Sequence, residues 1–148
     1  MSSAAASDPD VRFASELAGI DWCELKAVLH ADRFDNGRSP EQLRRSFENS
    51  HSVRIAWSGG QIVGTARILS DSVCNAYLVD VWTLSNFRRR GIAKEMIRQL
   101  LSGLPGQHIY VQTDENLSEV YRRVGFGEQP VGMGKIVGEW LVGEDDAR

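Results

Sequence analysis

The chain has 148 residues, 42% of them hydrophobic, and a formal net charge of −3. This length and apolar content suit one domain with one core, and the acidic balance argues against a general nucleic-acid binder. No run of eighteen apolar residues occurs and the start lacks the order of a signal peptide, so we expect a cytoplasmic protein without membrane contact. Cys23 and Cys74 lie far apart without metal-ligand spacing, which favours buried free thiols and no metal.

The N-terminal part of the chain predicts a tail, a strand and two helices. Residues 1–9 are small and polar with one proline, which predicts a disordered tail before a single domain over residues 10–148. A first strand is expected at Val11–Leu17. Asp21 is placed to cap the first helix, and Ser39-Pro40-Glu41-Gln42 is typical of a capping box at the start of the second.

The rest of the chain alternates strand and helix patterns. Gly59-Gly60 predicts a hairpin, because two-residue turns need positive φ. A helix is expected to begin at Gly91, and a shorter one to end at Gly125. The further predicted elements are strands at Ser52–Trp57, Gln61–Leu69, Asn75–Leu84, Ile109–Thr113 and Ile136–Leu141, and the short helix at Leu117–Val124. This order indicates a mixed α+β fold with helices on the faces of a sheet.

The junction between the strand that ends at Leu84 and the helix that follows is suited to phosphate. The junction reads Phe87-Arg88-Arg89-Arg90-Gly91-Ile92-Ala93. The first turn of a helix leaves N–H groups unpaired and its dipole attracts anions, and Gly91 allows close approach because it has no Cβ. Arginine runs are more often solvated or bind nucleic acid, but the strand-to-helix context favours a phosphate site.

Two motifs in this region resemble those of the GNAT superfamily, the acetyl-CoA-dependent N-acyltransferases. Arg88-Arg89-Arg90-Gly91-Ile92-Ala93 matches the family's Gln/Arg-x-x-Gly-x-Gly/Ala loop, and Tyr121-Arg122-Arg123-Val124-Gly125-Phe126 resembles its Tyr-x-x-x-Gly-Phe segment. The resemblance implies the acyl-CoA N-acyltransferase fold, with a central, mostly antiparallel, splayed sheet and about four flanking helices. It also implies a bulge in the strand ending at Leu84, which would leave backbone groups free for the ligand.

A narrower resemblance concerns the loop Ser70-Asp71-Ser72-Val73-Cys74-Asn75-Ala76, together with Val79-Asp80-Val81 and Gly132-Met133. These segments are similar to a branch that contains plastid and cyanobacterial arylalkylamine N-acetyltransferases and short bacterial members. The branch implies a small aromatic amine as one candidate acceptor.

The family's cosubstrate contacts carry over to one strand end, one loop and one later segment. Main-chain N–H groups of Trp82 or Leu84 are the expected donors to the acyl oxygen, because strand backbone is preorganised. Asn116 is similar to a family asparagine that contacts CoA, although it lies closer to Tyr121 than usual. The implied acetyl-CoA contacts are Trp82, Thr83, Leu84, Arg88, Arg89, Arg90, Gly91, Ile92, Ala93, Lys94, Asn116 and Tyr121.

Two side chains are the catalytic candidates. The resemblance makes Tyr121 the hydrogen-bond donor to the departing CoA sulfur, whereas its residue pattern also fits a core aromatic beside Leu117, Val120 and Val124. Asp80 is the candidate base for the amine proton. A base acting through water is equally consistent, and an aspartate beside a sheet often only pairs with an arginine.

The resulting hypothesis is an N-acetyltransferase that moves acetyl directly from acetyl-CoA to a small primary amine in a ternary complex. An arylalkylamine or a polyamine would suit as acceptor, and the protein would act as a monomer or homodimer. The alternative is a non-catalytic module that senses acyl-CoA on the same fold. Nucleic-acid binding through the arginines is disfavoured by the acidic balance.

Overall fold

The structure is a computed structural model that describes residues 9–141, and in this range it contains five strands and four helices. The described chain forms two compact units. The first unit comprises residues 9–17 and 50–127, and the second comprises residues 18–49 and 128–141. The predicted disordered tail lies outside the described residues except for Pro9. No helix among the described residues is long and apolar enough to cross a membrane.

The first unit is built on one five-stranded sheet in the order β1-β2-β3-β4-β5. Neighbouring strands are antiparallel except β4 and β5, which run parallel. The expected mostly antiparallel sheet is therefore confirmed. Gly59 adopts a φ of 59° in the predicted hairpin. The strands are β1 Val11–Ala14, β2 Ser52–Ser58, β3 Gln61–Ser70, β4 Asn75–Thr83 and β5 His108–Val111.

The two parallel strands separate halfway along β4. Their pairing runs from Asn75 opposite His108 to Leu78 opposite Val111. Beyond Leu78, β4 continues to Thr83 without a strand on that side within the described residues. This unpaired half, from Val79 to Thr83, is called the open edge below. It is the splay that the family resemblance implies.

Helix α3, Ile92–Ser102, covers one face of the sheet by packing on β2, β3 and β4. Its apolar side chains recur at helical spacing and enter the core, as the sequence predicts. Those buried are Ile92, Met96, Ile97 and Leu100. Helix α4, Ser118–Arg122, is shorter than predicted and follows a single 3₁₀ turn at Glu115–Leu117.

The loop between β3 and β4 is held by one carboxylate. Asp71 Oδ1 accepts the N–H groups of Val73, Cys74 and Asn75 at 2.8, 2.9 and 3.2 Å. These bonds favour the ionised carboxylate and lower the pKa of Asp71 to about 2. The loop that resembles the arylalkylamine branch is thus organised by a local network.

The second unit contains α1, Trp22–Ala31, and α2, Pro40–Glu48. The predicted caps are confirmed. Asp21 accepts the Glu24 N–H at 3.0 Å, and both bonds of the capping box between Ser39 and Gln42 are present. The rings of Trp22 and Phe47 lie 5.7 Å apart and join the two helices.

The predicted final strand at Ile136–Leu141 is wrong, because these described residues form no strand. Their Ile, Val, Trp and Leu content favours a pleated surface, but that preference expresses packing against a neighbouring strand. Gly138 has a φ of 75°, which interrupts an extended backbone in the middle of the segment. Ile136, Val137 and Trp140 are exposed.

Candidate active site

The phosphate-suited loop lies between β4 and α3. Gly91 is the residue before α3 and adopts a left-handed φ of 78°. The first main-chain bond of the helix runs from Glu95 N–H to the Gly91 carbonyl at 3.0 Å. The amides of Ile92, Ala93 and Lys94 precede that bond, and no side chain caps the helix. A Cβ built on Gly91 would meet no atom within 4 Å, so the approach to these amides is open.

Two of the three arginines fold back onto the loop. Arg88 Nε donates to the Thr83 carbonyl at 3.1 Å, and Arg90 Nη2 donates to the Asn86 carbonyl at 3.1 Å. The Arg90 guanidinium also lies 4.7 Å from the centre of the Phe87 ring. Arg89 is exposed and has a positive φ of 64°. In this structure Arg88 and Arg90 therefore hold the shape of the loop.

The open edge presents the main chain of Thr83. Leu84 donates its amide to the Val63 carbonyl at 2.8 Å, so this amide faces β3. Main-chain direction alternates along a strand, so Trp82, opposite Thr65, also faces β3. The predicted use of the Trp82 or Leu84 amide as the acyl-oxygen donor is therefore wrong. Thr83 faces the opposite way, as its bond from Arg88 shows.

Thr83 also carries an unsatisfied polar group. Its Oγ1 atom is buried and has no hydrogen-bond partner among the described residues. Buried hydroxyls nearly always have a partner, and an exception marks strain, a functional site or a missing water. This exception lies at the end of the open edge.

The candidate base Asp80 lies in a bulge of β4. Arg67 pairs with Val79 and Thr65 pairs with Trp82, so Asp80 and Val81 together oppose a single residue of β3. The carboxylate of Asp80 accepts a bond from Arg67 Nε at 2.5 Å, with these side chains 15% and 13% exposed. The arginine pairing that the sequence left open is thus present. The carboxylate of Asp80 is therefore engaged in an ion pair with Arg67.

Tyr121 lies in the core of the first unit with 9% of its surface exposed. Its ring meets Phe126 edge to face at 5.9 Å, and its carbonyl accepts the N–H of Phe126 at 3.0 Å. Its hydroxyl forms no hydrogen bond with any described residue. Burial raises the pKa of Tyr121, so the hydroxyl stays protonated at neutral pH and is available as a donor.

The sequence also allowed Tyr121 to be a core aromatic packed beside Leu117, Val120 and Val124, and the structure differs from this alternative. Leu117 and Val120 are 53% and 38% exposed, and only Val124 of the expected companions packs against the core. Asn116 is exposed in the 3₁₀ turn before α4. Cys23 and Cys74 are exposed, so the prediction that these thiols are buried is wrong. No group of three or more His, Cys, Asp or Glu side chains in the described part of the chain is placed to hold a metal ion.

Comparison with known proteins gives a consistent family. The family described as the acetyltransferase (GNAT) domain matches residues 19–133. A histone acetyltransferase, TAP1, of Glycine max is 27% identical over 129 residues, which cover 77% of this chain and 55% of the relative. The chain thus spans about half the length of that curated relative.

Solved structures share the fold at low identity. A candidate acetyltransferase from Deinococcus radiodurans R1 superposes with a TM-score of 0.76 at 22% identity, over 86% of this chain and 89% of the other. Glucosamine-6-phosphate N-acetyltransferase from Arabidopsis thaliana superposes with a TM-score of 0.70 at 14% identity, over 86% and 99% of the two chains. With the motif loop, the splayed sheet and the family match over most of its length, the chain belongs to the GNAT family of acetyltransferases.

Proposed function

We propose that the protein is an N-acetyltransferase that moves an acetyl group directly from acetyl-CoA to a small primary amine in a ternary complex. The observation that carries this is the continuity of the site. The open edge ends at Thr83, and Arg88 joins the Thr83 carbonyl to the loop that presents the free amides of α3. An extended ligand with an amide-rich arm and a diphosphate fits both parts.

The residues present fit acetyl-CoA in three places. The unpaired amides of Ile92 to Lys94 suit a diphosphate, and the open space at Gly91 lets it approach. The main chain of Thr83 suits the pantetheine arm or the acyl oxygen. Arg89 extends from the same loop and supplies positive charge for the remaining phosphate oxygens.

The reaction forms a C–N bond and breaks the C–S bond of the thioester. An alkylamine with a pKa of ~10.4 is mostly protonated at pH 7, which adds on the order of 4 to 5 kcal/mol to the barrier unless a base assists. The amine proton leaves to Asp80 or to water, the two routes consistent with the sequence. The electron pair of the broken bond stays on the CoA sulfur.

Tyr121 stabilises that sulfur as it leaves. The ordinary pKa values of tyrosine and of a thiol, ~10 and ~8.5, already make full proton transfer uphill by roughly 2 kcal/mol. Burial raises the pKa of Tyr121 and makes full transfer harder still. A hydrogen bond that strengthens as negative charge develops is therefore the preferred role.

The acceptor is a primary amine of one of two kinds. The branch resemblance favours an arylalkylamine, and a polyamine is the other free small amine that suits the reaction. The Glycine max relative is named a histone acetyltransferase, which favours a lysine side chain of a protein. Both would react by the same chemistry at the open edge. We further propose that the protein works in the cytoplasm as a monomer or homodimer.

The test measures thiol release from acetyl-CoA across arylalkylamines, polyamines, amino acids and histone-tail peptides. Y121F should lower turnover by roughly 100-fold while leaving the acetyl-CoA Kd unchanged. Y77F is the matched control, because Tyr77 is an exposed tyrosine on β4. Unchanged turnover in Y121F would remove the proposed role of its hydroxyl. Acetyl-CoA binding without thiol release for every acceptor would favour the sensor.

A further inference from the structure

The bulge in β4 depends on one residue in an unusual conformation. Asp80 is the first of the two bulged residues and has a φ of 52°. A left-handed first residue defines the bulge type in which glycine is the usual occupant. Aspartate tolerates this region better than most side chains, but it is still uncommon there.

Strand β3 holds Asp80 at two points. The Thr65 hydroxyl donates to the Asp80 carbonyl at 2.9 Å, and the Arg67 guanidinium binds the Asp80 carboxylate. Thr65 is 1% exposed, and its buried hydroxyl makes this bond. The main chain and the side chain of Asp80 are therefore both tied to β3. This arrangement over-determines a backbone conformation that would otherwise be disfavoured.

The extra residue decides which main-chain groups reach the open edge. Before the bulge, Asp71 donates to the Asn75 carbonyl across the hairpin, so the odd-numbered residues of β4 face β3. After it, Leu84 donates to Val63, so the even-numbered residues face β3. Without the bulge Thr83 would turn towards β3, because a one-residue slip reverses every later position.

We propose that Asp80 is a positioning residue and not the base, and that Thr65 and Arg67 hold it in the bulge that turns Thr83 to the open edge. The identity of the ligand at Thr83 rests on the proposed function. The bulge itself does not. Proton removal from the amine then falls to water at the open edge.

Three substitutions of Asp80 separate the two roles. D80G supplies the residue that this bulge type prefers, D80N keeps a side chain that tolerates positive φ, and D80A does neither. All three remove the carboxylate. We expect kcat/KM to be higher in D80G and D80N than in D80A, by roughly fivefold or more. The pH profiles of D80G and D80N should have the same shape as the wild-type profile, because the amine's own ionisation remains the titration that limits the rate.

If Asp80 were the base, the three variants would lose activity equally, because all three lack the carboxylate. Equal losses in D80G, D80N and D80A, with the same change in the shape of the pH profile in each, would overturn the proposal. Thermal unfolding is measured beside activity, and D80G should unfold at a higher temperature than D80A whether or not acetyl-CoA binds. The reverse order would overturn the bulge argument by itself. Failure of the wild type to bind acetyl-CoA would instead remove the proposed function.

Thr65 provides the second, independent set of variants. T65V keeps the shape and removes the bond to the Asp80 carbonyl, and T65S keeps the hydroxyl. We expect T65V to lower kcat at least fivefold with a smaller change in the KM of the amine, and T65S to recover most of the loss. Equal activity of T65V and the wild type would show that the hydroxyl does not position the bulge.

Discussion

Replacing Gly91 by alanine tests where the diphosphate binds. Gly91 has a φ of 78°, and a Cβ there would touch nothing, so the variant suffers backbone strain without a clash. A left-handed alanine costs about 1 to 2 kcal/mol. For a chain of this size that lowers Tm by about 2 to 8 °C. If the loop instead changes conformation to relieve the strain, the amides of α3 turn away from the ligand. Returning them to the binding conformation then raises the acetyl-CoA Kd by about 5- to 30-fold.

Gly106 is a matched control for this change. It has a φ of 77°, equally open space around a Cβ, and a position in the turn before β5. G106A should lower Tm by a similar amount and leave the acetyl-CoA Kd at the wild-type value. Calorimetric titration and thermal unfolding of both variants supply the two measurements. A wild-type Kd together with a wild-type Tm for G91A, or an equal rise in Kd for G106A, would refute the placement of the diphosphate.

Three further substitutions probe the surroundings of the site. D71N should lower Tm above about pH 4, and this effect should disappear towards pH 2. The reason is that the folded pKa of Asp71 is about 2, below its ordinary 3.8. Thermal unfolding of the variant and the wild type across this pH range is the measurement. G64A should destabilise the fold by about 1 to 3 kcal/mol in denaturant titration. Its Cβ would lie 3.1 Å from Met96 Cε and 3.2 Å from the Trp82 carbonyl. T83V should raise the unfolding free energy by about 1 kcal/mol, because it removes an unpaired buried hydroxyl without changing shape.

Local patterns in the sequence predicted most of the element order. The caps of α1 and α2, the hairpin at Gly59 and the glycine before α3 each depend on a few adjacent residues, and each is found where it was expected. The final strand failed for a related reason. Its composition is typical of a strand, but strand formation depends on a partner edge, and Gly138 breaks the extended backbone.

The direction of the main chain at the site could not be predicted from sequence. The family resemblance implies a bulge in this strand but not its position, and without a bulge the amides of Trp82 and Leu84 would face the open edge. The bulge contains Asp80, and an aspartate within a strand pattern does not by itself indicate a left-handed conformation there. Its partners Thr65 and Arg67 lie on another strand and belong to no motif. A single inserted residue thus exchanges the candidate donors.

Without a ligand, the open edge exposes the protein to aggregation. Unpaired N–H and C=O groups on an exposed strand are a template for a strand of another molecule, and thus a route to aggregation. Positive charge at such an edge is a common protection, and the Arg88 guanidinium lies on the Thr83 carbonyl. The Arg88 guanidinium is therefore placed where it opposes pairing of the strand end with another strand. A ligand that occupies the same groups would protect the strand too, so acetyl-CoA should suppress aggregation beyond its effect on Tm.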